Sequence, residues 1–354
     1  MQLTLIVPEL IWPEPGDAEA FDDAVCPALR TLLGRSRLSR RQPQSFEATL
    51  CDVFGQTDAT PYAALRRLGE SAVTGDAESM DGYWSCSDPV HLRYHEELLI
   101  LADSSSLDIA PDDAQALIDA LNAHFPELGR FHLATPERWY LQTTDSSVLD
   151  TTGVAPLSNM AGRSLDHERP VTAAQKALYR LLAEIQMLLH THPVNQKREA
   201  AGQMPINSLW LWGGGVLPPR RECNFDGVWS NNALALGLAR ASGVMTHTTA
   251  RDAAVLLENM APDTHHCLVF EDLLAPVQYE KRDAYRNALA GLEARWFAPL
   301  LAALRSGRVR QLHMESSTAY ATLRWDSTRN DQWAFWRRPR SLAATAQELV
   351  KHKT

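Results

Sequence analysis

Cysteine is scarce in this chain of 354 residues: there are five, and no two of them form a CxxC pair. A disulfide framework or a zinc knuckle needs an even, closely spaced set, so neither is expected. Reduced cysteines in a cytoplasmic protein are the simpler interpretation. Long apolar runs are also missing. No stretch of about 18 apolar residues occurs, which argues against a membrane-spanning helix, and the amino-terminal LTLIV is predicted as a buried strand rather than a signal peptide.

An excess of positive charge is missing as well, since the formal net charge is −9 and charged residues make up 22% of the chain. Proteins that coat nucleic acid are usually basic, so a general nucleic-acid coat is not expected. Two local segments run against this average, RSRLSRR at 35–41 and WAFWRRPR at 333–340. The first is predicted as a solvated loop.

The second basic segment places two tryptophans beside arginines, namely Trp333, Trp336, Arg337 and Arg338. Aromatic side chains interleaved with arginine stack bases or anchor a protein partner. A closing strand with a solvated basic edge is the alternative interpretation. Nucleic acid therefore stays open as a partner, although the overall charge disfavours it.

Hydrophobic residues make up 45% of the sequence, enough for one large domain with an insertion or for two domains. Strands alternate with helices at both ends of the chain, as at 3–7, 231–242, 266–270 and 281–304. This alternation predicts a mostly parallel sheet covered on both faces. The middle of the chain reads instead as hairpin strands with helices, which predicts an inserted α+β lobe.

The most specific stretch is HPVNQKREAAGQMPINSLWLWGGG at 192–215. It resembles the segment of archaeal-type, cofactor-independent phosphoglycerate mutases that reads HPVN, a basic pair, a glycine, Pro-x-Asn and a Trp-x-Trp-Gly strand. The resemblance implies an alkaline-phosphatase-like, doubly wound α/β core. That core would comprise residues 1–78 and 213–354, with a substrate lobe at 79–212 inserted into it.

The same resemblance implies two divalent metal ions and a phosphoserine intermediate, and the residues at the expected positions depart from it. The Asp-Gly that should end the first strand is replaced by Pro8 and Glu9. Ser45 lies at the place of the nucleophile, but Phe46 follows it where an Asp is usual. An ordinary helix N-cap is the alternative interpretation of Ser45.

The two remaining ligand motifs are altered too. The loop at 271–283 has no histidine, and Ala275 falls where a ligand Asp is expected. The final Asp-His-Ser-Thr motif reads Glu315-Ser316-Ser317-Thr318. A hydroxyl does not replace imidazole for a borderline metal. We therefore expect no metal cofactor. Mn or Zn would be expected only if the chain were an enzyme with Glu9, Asp272 and Glu315 as unusual oxygen ligands.

An anion pocket is a separate expectation of the resemblance. Asn195, Lys197 and Arg198 match the family motif, and arginine is suited to bidentate contacts with carboxylate or phosphate. Gly213 and Gly214 would let backbone amides approach a ligand. The alternative is that these residues hold the insert onto the core.

These observations predict a divergent bacterial phosphoglycerate-mutase-like protein that has lost its two-metal site. Its expected role is regulation or binding in the cytoplasm, with a protein or a small phosphorylated ligand as partner and no membrane contact. The alternatives are an active metal-dependent phosphomutase or phosphatase with Ser45 as nucleophile, and a nucleic-acid-associated accessory protein.

Overall fold

The computed structural model describes most of the chain, in two compact units. The described residues are 1–17, 19–21, 26–56, 60–74, 80–95, 98–144, 151, 153–165, 172–334 and 336–351. The first unit comprises Met1–Thr57 and Arg220–Thr354, and the second comprises Asp58–Pro219. The second unit is thus inserted into the sequence of the first.

Thirteen strands are described. They are β1 (Gln2–Ile6), β2 (Arg37–Arg41), β3 (Tyr83–His95), β4 (Leu98–Ala102), β5 (Arg130–Thr135), β6 (Arg138–Thr143), β7 (Ser164–Leu165), β8 (Ser208–Gly215), β9 (Gly227–Trp229), β10 (Met245–His247), β11 (His265–Val269), β12 (Gln311–Ser317) and β13 (Thr322–Thr328).

Fourteen α-helices are described, some of them single turns. They are α1 (Pro27–Arg35), α2 (Phe46–Val53), α3 (Tyr62–Thr74), α4 (Pro111–His124), α5 (Leu157–Met160), α6 (Ala173–Thr191), α7 (Pro193–Ala200), α8 (Ala233–Ser242), α9 (Ala253–Glu258), α10 (Leu274–Gln278), α11 (Arg282–Leu292), α12 (Ala298–Ser306), α13 (Arg329–Gln332) and α14 (Leu342–Lys351). A π-helical segment, Glu293–Phe297, joins α11 to α12.

The first unit is built on a seven-stranded sheet in the order β10-β9-β11-β1-β12-β13-β2. The five strands from β10 to β12 are parallel to one another. β13 runs antiparallel to β12, and β2 runs antiparallel to β13. One face packs its leucines against α1 and the α11–α12 helix, while α2 and α8 lie over the other face. The predicted α/β class with a mostly parallel sheet is confirmed. The prediction of a loop at 35–41 is wrong, because β2 pairs there with β13.

The second unit contains an antiparallel sheet in the order β5-β6-β3-β4-β7, with β8 also paired to β3. Its core is a cluster of apolar side chains from α4, α6 and the sheet. The sequence placed the domain boundaries after residues 78 and 212, whereas the compact units divide at Thr57/Asp58 and Pro219/Arg220. The difference arises because α3 packs on β3 and β8, which both belong to the second unit.

Candidate functional site

Polar side chains line one face of the parallel sheet in the first unit. Side chains alternate between faces along a strand, so the register places Thr4, His265 and His313 on the same face. The Nε2 of His265 lies 3.0 Å from the Thr4 hydroxyl, and the imidazole rings of His265 and His313 are 6.3 Å apart. His313 Nδ1 lies 2.5 Å from Asp326 Oδ1 on β13. The result is a polar row that crosses four neighbouring strands, from β11 to β13.

Glu315 continues this row toward the carboxyl end of β12 and is held by two arginines. It is 2% exposed, and its Oε2 accepts a hydrogen bond of 2.6 Å from Arg41. Its Oε1 accepts one of 3.1 Å from Arg324, whose Nε also donates to Asp326 at 2.8 Å. Arg41 in turn donates to Asp52 at 3.1 Å. Both oxygens of the Glu315 carboxylate are thereby engaged by guanidinium groups from adjacent strands.

The pKa values in this network follow from burial and from these contacts. Burial raises the pKa of Glu315 above its ordinary value, while Arg41 and Arg324 act in the opposite direction. Burial also opposes ionisation of Asp326, but hydrogen bonds from Arg324 and His313 outweigh it and hold the pKa of Asp326 below its usual range. Burial disfavours the charge of Arg324 as well, yet its two carboxylate partners raise its pKa.

The expected metal ligands do not fit a two-metal centre in this arrangement. Glu315 already has two cationic partners, and the Ser316 hydroxyl accepts a hydrogen bond of 3.1 Å from the Leu10 amide. Glu9 has a left-handed backbone, with φ of 55°, and its amide donates to the Ser317 carbonyl at 2.9 Å. No group of three or more His, Cys, Asp or Glu side chains arranged to hold a metal occurs among the residues that the structure describes.

Asp272 lies in a polar cleft of about 390 Å³ at the carboxyl ends of β9, β10 and β11. Its Oδ1 is 3.3 Å from Nη2 of Arg295, and Arg251 also lines the cleft. Asn231 and Thr249 contribute polar groups from the loops that follow β9 and β10. In α/β sheets ligands usually bind in such crevices outside the carboxyl ends of the strands. Of these residues the sequence pointed only to Asp272; the loops after β9 and β10 carry no recognisable motif.

Ser45, the expected nucleophile position, is the N-cap of α2. Its hydroxyl accepts a hydrogen bond of 3.0 Å from the Ala48 amide, and its carbonyl accepts one of 3.0 Å from the Thr49 hydroxyl. These contacts are those of an ordinary helix cap, which satisfies a backbone donor that the helix leaves open. They agree with the N-cap interpretation of this serine.

The predicted anion-binding residues of the HPVN segment make backbone contacts within the second unit. Asn195 is 1% exposed; its amide nitrogen donates to the carbonyls of Leu189 and Ile206 at 2.8 and 2.7 Å, and its oxygen accepts from the Ile206 amide at 2.8 Å. Arg198 is also 1% exposed and donates to the carbonyls of Met204, Asp108 and Leu107.

Lys197 differs from these two neighbours. Its side chain is 78% exposed, and its Nζ lies 3.9 Å from Asp113. The structure therefore does not bring the three residues together on a common pocket. The contacts of Asn195 and Arg198 all lie within the second unit and join parts of that lobe to one another. The alternative that the segment holds the insert onto the core stays a prediction.

Gly213 and Gly214 allow neighbouring segments of the chain to approach closely. Gly213 has a φ of 65°, and a Cβ there would lie 2.9 Å from Tyr62 Cβ. At Gly214 a Cβ would lie 2.0 Å from the Tyr83 hydroxyl and 2.4 Å from that of Thr151. Glycine is required because any side chain at these positions would collide with neighbouring elements of the lobe.

A buried ionic network that the sequence did not indicate fixes α3 in the second unit. Arg66 donates to both carboxylate oxygens of Asp88, at 2.8 and 2.5 Å, and to the Tyr140 hydroxyl at 2.7 Å. Tyr140 donates to Glu70, which Arg138 also binds. Burial works against the charge of Arg66, but Asp88 outweighs it and raises the pKa of Arg66 well above the ordinary value. No short motif links these residues, since they lie on three separate elements, α3, β3 and β6.

Two tryptophans of the carboxy-terminal aromatic segment are exposed. Trp333 is 65% exposed and Trp336 is 71% exposed. Arg337 donates to the Arg35 carbonyl at 3.1 Å, so the segment lies beside the other basic stretch, 35–41. Local sequence patterns give no indication that two stretches so far apart in the chain lie side by side.

Comparison with known proteins finds relatives that match part of this chain in sequence. No protein-family model matches the chain. A 2,3-bisphosphoglycerate-independent phosphoglycerate mutase from Methanosarcina mazei is 28% identical over 213 residues, 57% of this chain and 51% of that protein. A second such enzyme, from Methanothermobacter thermautotrophicus, is 32% identical over 191 residues, 52% of this chain and 46% of its own length. The chain spans about half the length of the curated relatives it matches.

A solved structure from Pyrococcus horikoshii covers 99% of this chain and 96% of its own, with a TM-score of 0.55 at 14% identity. The fold is thus that of an α/β protein with a mostly parallel core sheet and a separate antiparallel lobe. Over about half of its length, the chain is similar in sequence to cofactor-independent phosphoglycerate mutases. In the described part of the chain, every helix is too short or too polar to cross a membrane.

Proposed function

We propose that this protein is a catalytically degenerate phosphoglycerate-mutase-like protein that acts by binding, in a regulatory role, rather than by two-metal phosphoryl transfer. The observation that carries the proposal is the double arginine contact of Glu315. This residue stands where the family motif places its final Asp-His pair, and Arg41 and Arg324 each bond one of its oxygens.

A guanidinium pair and a metal ion are alternative partners for one buried carboxylate. To bind a divalent cation, Glu315 would have to release both arginines and leave their charges close to the incoming ion. The ion would then lie beside two guanidinium groups, and like charges at such short distances repel one another. Ser316 supplies a hydroxyl in place of imidazole, which weakens the site further for Zn or Mn.

A binding role finds support in the cleft at the carboxyl ends of the parallel strands. Arg251 and Arg295 supply guanidinium donors there, and Asn231 supplies an amide. Arginine suits bidentate contact with phosphate, so a small phosphorylated ligand is the proposed occupant. Asp272 pairs with Arg295 in the cleft, so a ligand must compete with or share this contact.

The proposed location is the cytoplasm. The five cysteines are scattered through the sequence with no CxxC pair, and Cys26, Cys51, Cys86 and Cys267 are buried. Thiols persist in reducing compartments, whereas secreted proteins tend to pair them.

Metal retention by the full chain tests the proposal. The protein is incubated with Mn²⁺ and Zn²⁺, desalted and measured by elemental mass spectrometry, beside the variant Glu315→Gln. We expect the two proteins to retain the same trace amount. Near-stoichiometric metal in the wild type that falls in Glu315→Gln would contradict the proposal and favour the unusual ligand set of Glu9, Asp272 and Glu315.

Turnover of phosphorylated substrates is the second test, because weakly held Mg²⁺ escapes desalting. The expected result is no hydrolysis or phosphoryl transfer from phosphoglycerates with Mg²⁺, Mn²⁺ or Zn²⁺. Any turnover is compared with that of Ser45→Ala. Activity that disappears in this variant would support the active-enzyme alternative with Ser45 as nucleophile.

A further inference from the structure

Two basic segments that lie about 300 residues apart form one surface of the first unit. We call this surface the basic edge, defined as residues 35–41 together with 333, 334 and 336–340. Arg35 donates to the Gln332 carbonyl at 2.5 Å, Arg337 donates to the Arg35 carbonyl at 3.1 Å, and the Arg340 amide donates to the Arg30 carbonyl at 2.9 Å. A Cβ at Gly34 would lie 2.2 Å from the Arg338 carbonyl oxygen, so the two segments are closely packed.

The basic edge has a surplus of positive charge. It contains four arginines in 35–41 and three in 337–340, and neither segment contains an acidic residue. Arg41, Arg337 and Arg340 have carboxylate neighbours in Asp52, Glu315, Asp331 and Glu348. Within the described part of the chain, no carboxylate lies in salt-bridge distance of the other four, which are Arg35, Arg37, Arg40 and Arg338.

Two observations show that these positive charges are not fully balanced by other described residues. The Nε atom of Arg40 is buried and has no acceptor among the described residues. Burial lowers the pKa of Arg340, and the charge of Arg40 lowers it further, so these two guanidinium groups repel one another. An external group of negative charge would relieve both conditions.

The basic edge also includes a strand with an open side. β2 is the last strand of its sheet and pairs with β13 on one side, while no strand of the described chain pairs with its other side. Arg37, Ser39 and Arg41 are exposed along it. Such an edge accepts an added strand from another polypeptide, and charged side chains select which one.

Exposed tryptophans complete the surface. Backbone hydrogen bonds hold the chain on both sides of this pair: the Trp333 amide donates to the Asn330 carbonyl at 3.1 Å, and the Arg337 amide donates to the Ala334 carbonyl at 2.9 Å. Protection of an edge strand from aggregation explains arginine on β2 but not two tryptophans that are 65% and 71% exposed. Tryptophan and arginine are the residues most enriched at the energetic centres of protein interfaces.

We propose that the basic edge docks an acidic, extended segment of a partner protein, which adds as a strand beside β2 and packs an apolar side chain on Trp333. The inference rests on the proposed binding role and names the class of its partner. A polypeptide fits better than nucleic acid because only a polypeptide pairs with the backbone of β2.

Fluorescence anisotropy with the full chain tests the proposal. The probe is a labelled twelve-residue peptide that alternates glutamate with valine and carries one leucine. Three comparison probes accompany it: the same peptide N-methylated at alternate backbone positions, a neutral peptide with glutamine in place of glutamate, and a single-stranded thymidine oligonucleotide of equal charge. We expect saturable binding of the acidic peptide and at least tenfold weaker binding of both altered peptides.

Variants of exposed residues locate the binding. Arg37→Glu and Trp333→Ala are each expected to weaken the acidic peptide at least tenfold. The matched control is Arg310→Glu, an exposed arginine outside the basic edge, which should leave binding unchanged. Absence of binding, equal binding of the N-methylated peptide, or equal loss in the control variant would overturn the proposal. Tighter binding of the oligonucleotide would overturn it in favour of a nucleic-acid surface.

This result is separable from the test of the proposed function. The variants at Arg37 and Trp333 leave the Glu315 contacts in place, so metal retention and turnover should be the same as in the wild type. An active, metal-loaded protein would refute the degenerate-enzyme proposal while the peptide titration still decides the role of the basic edge.

Discussion

The two compact units each contain a network of charged side chains, and the networks differ in how far they are closed to solvent. In the second unit, Asp88 is 1% exposed and its partner Arg66 is 11% exposed, whereas Arg138, which binds the equally buried Glu70, is 36% exposed. The pair of Asp88 and Arg66 is therefore the closed part of that network. In the first unit, Glu315 is 2% exposed, but its partners Arg41 and Arg324 are 42% and 40% exposed. The network of the first unit is therefore open to solvent and ligands on the side of its two arginines.

This difference separates a charge pair that is enclosed within its unit from a network that solvent reaches. A closed network fixes one arrangement of α3 on its sheet, and its charges are unpaired only if the lobe opens. The open network lies at the strand ends where the related enzymes' motif is expected, and arginines there satisfy a carboxylate. Removing one partner should therefore cost more in the closed network than in the open one.

The largest expected effect is that of Asp88→Ala. It leaves the buried guanidinium of Arg66 without a counter-charge and removes the acceptor of Trp212 Nε1, which donates to Asp88 at 2.8 Å. We expect a loss of about 3–5 kcal/mol in the free energy of unfolding, measured by urea denaturation with circular dichroism. The control Lys197→Ala, in the same unit but exposed, should cost less than about 0.5 kcal/mol. A loss below about 1 kcal/mol for Asp88→Ala would refute the view that the network is closed.

Glu315→Ala should have a smaller effect, because solvent can hydrate the two arginines that it leaves behind. The expected loss is about 1.5–3 kcal/mol, the usual range for hydrogen bonds to charged groups. Urea denaturation under the same conditions gives the comparison directly. A cost larger than that of Asp88→Ala would reverse the distinction between the two networks.

The partly buried histidines of β11 give the first unit a pH-dependent stability. Burial lowers the pKa of both His265 and His266, and the neighbouring His313 adds to the effect on His265. The unfolded chain therefore binds protons before the folded one, so stability should fall as the pH drops below about 6.5, the ordinary histidine value. Unfolding curves between pH 7.5 and pH 5 should show a flatter pH dependence in the double variant His265→Asn, His266→Asn. An unchanged slope would show that other groups dominate.

The smallest expected effect is that of Asp52→Ala at the rim of the open network. Asp52 accepts from Arg41 at 3.1 Å, and the arginine is 42% exposed. Ion pairs of this kind contribute about 0–1 kcal/mol, and high salt should reduce the difference further. Thermal unfolding at low and high ionic strength measures it, and a salt-independent cost above about 1 kcal/mol would place Asp52 in a closed network instead.

The sequence by itself determined the class of fold, because alternating strands and helices leave few alternatives to a mostly parallel sheet covered on both faces. It also predicted an altered ligand motif at Glu315 and Ser316, because the family resemblance leads one to expect an imidazole there and the sequence has a hydroxyl. The HPVN and Trp-Gly segment pointed to the related family through local residues that lie together in the chain.

Tertiary structure alone decided what these residues contact. Arg41, Glu315 and Arg324 lie on three different strands, and only the β12–β13–β2 pairing brings them together. The same pairing places 35–41 beside the segment that follows α13 and so creates the basic edge. Local periodicity carries no information on strand neighbours that are about 300 residues apart, because their register is set by burial and by the pairing of the whole sheet.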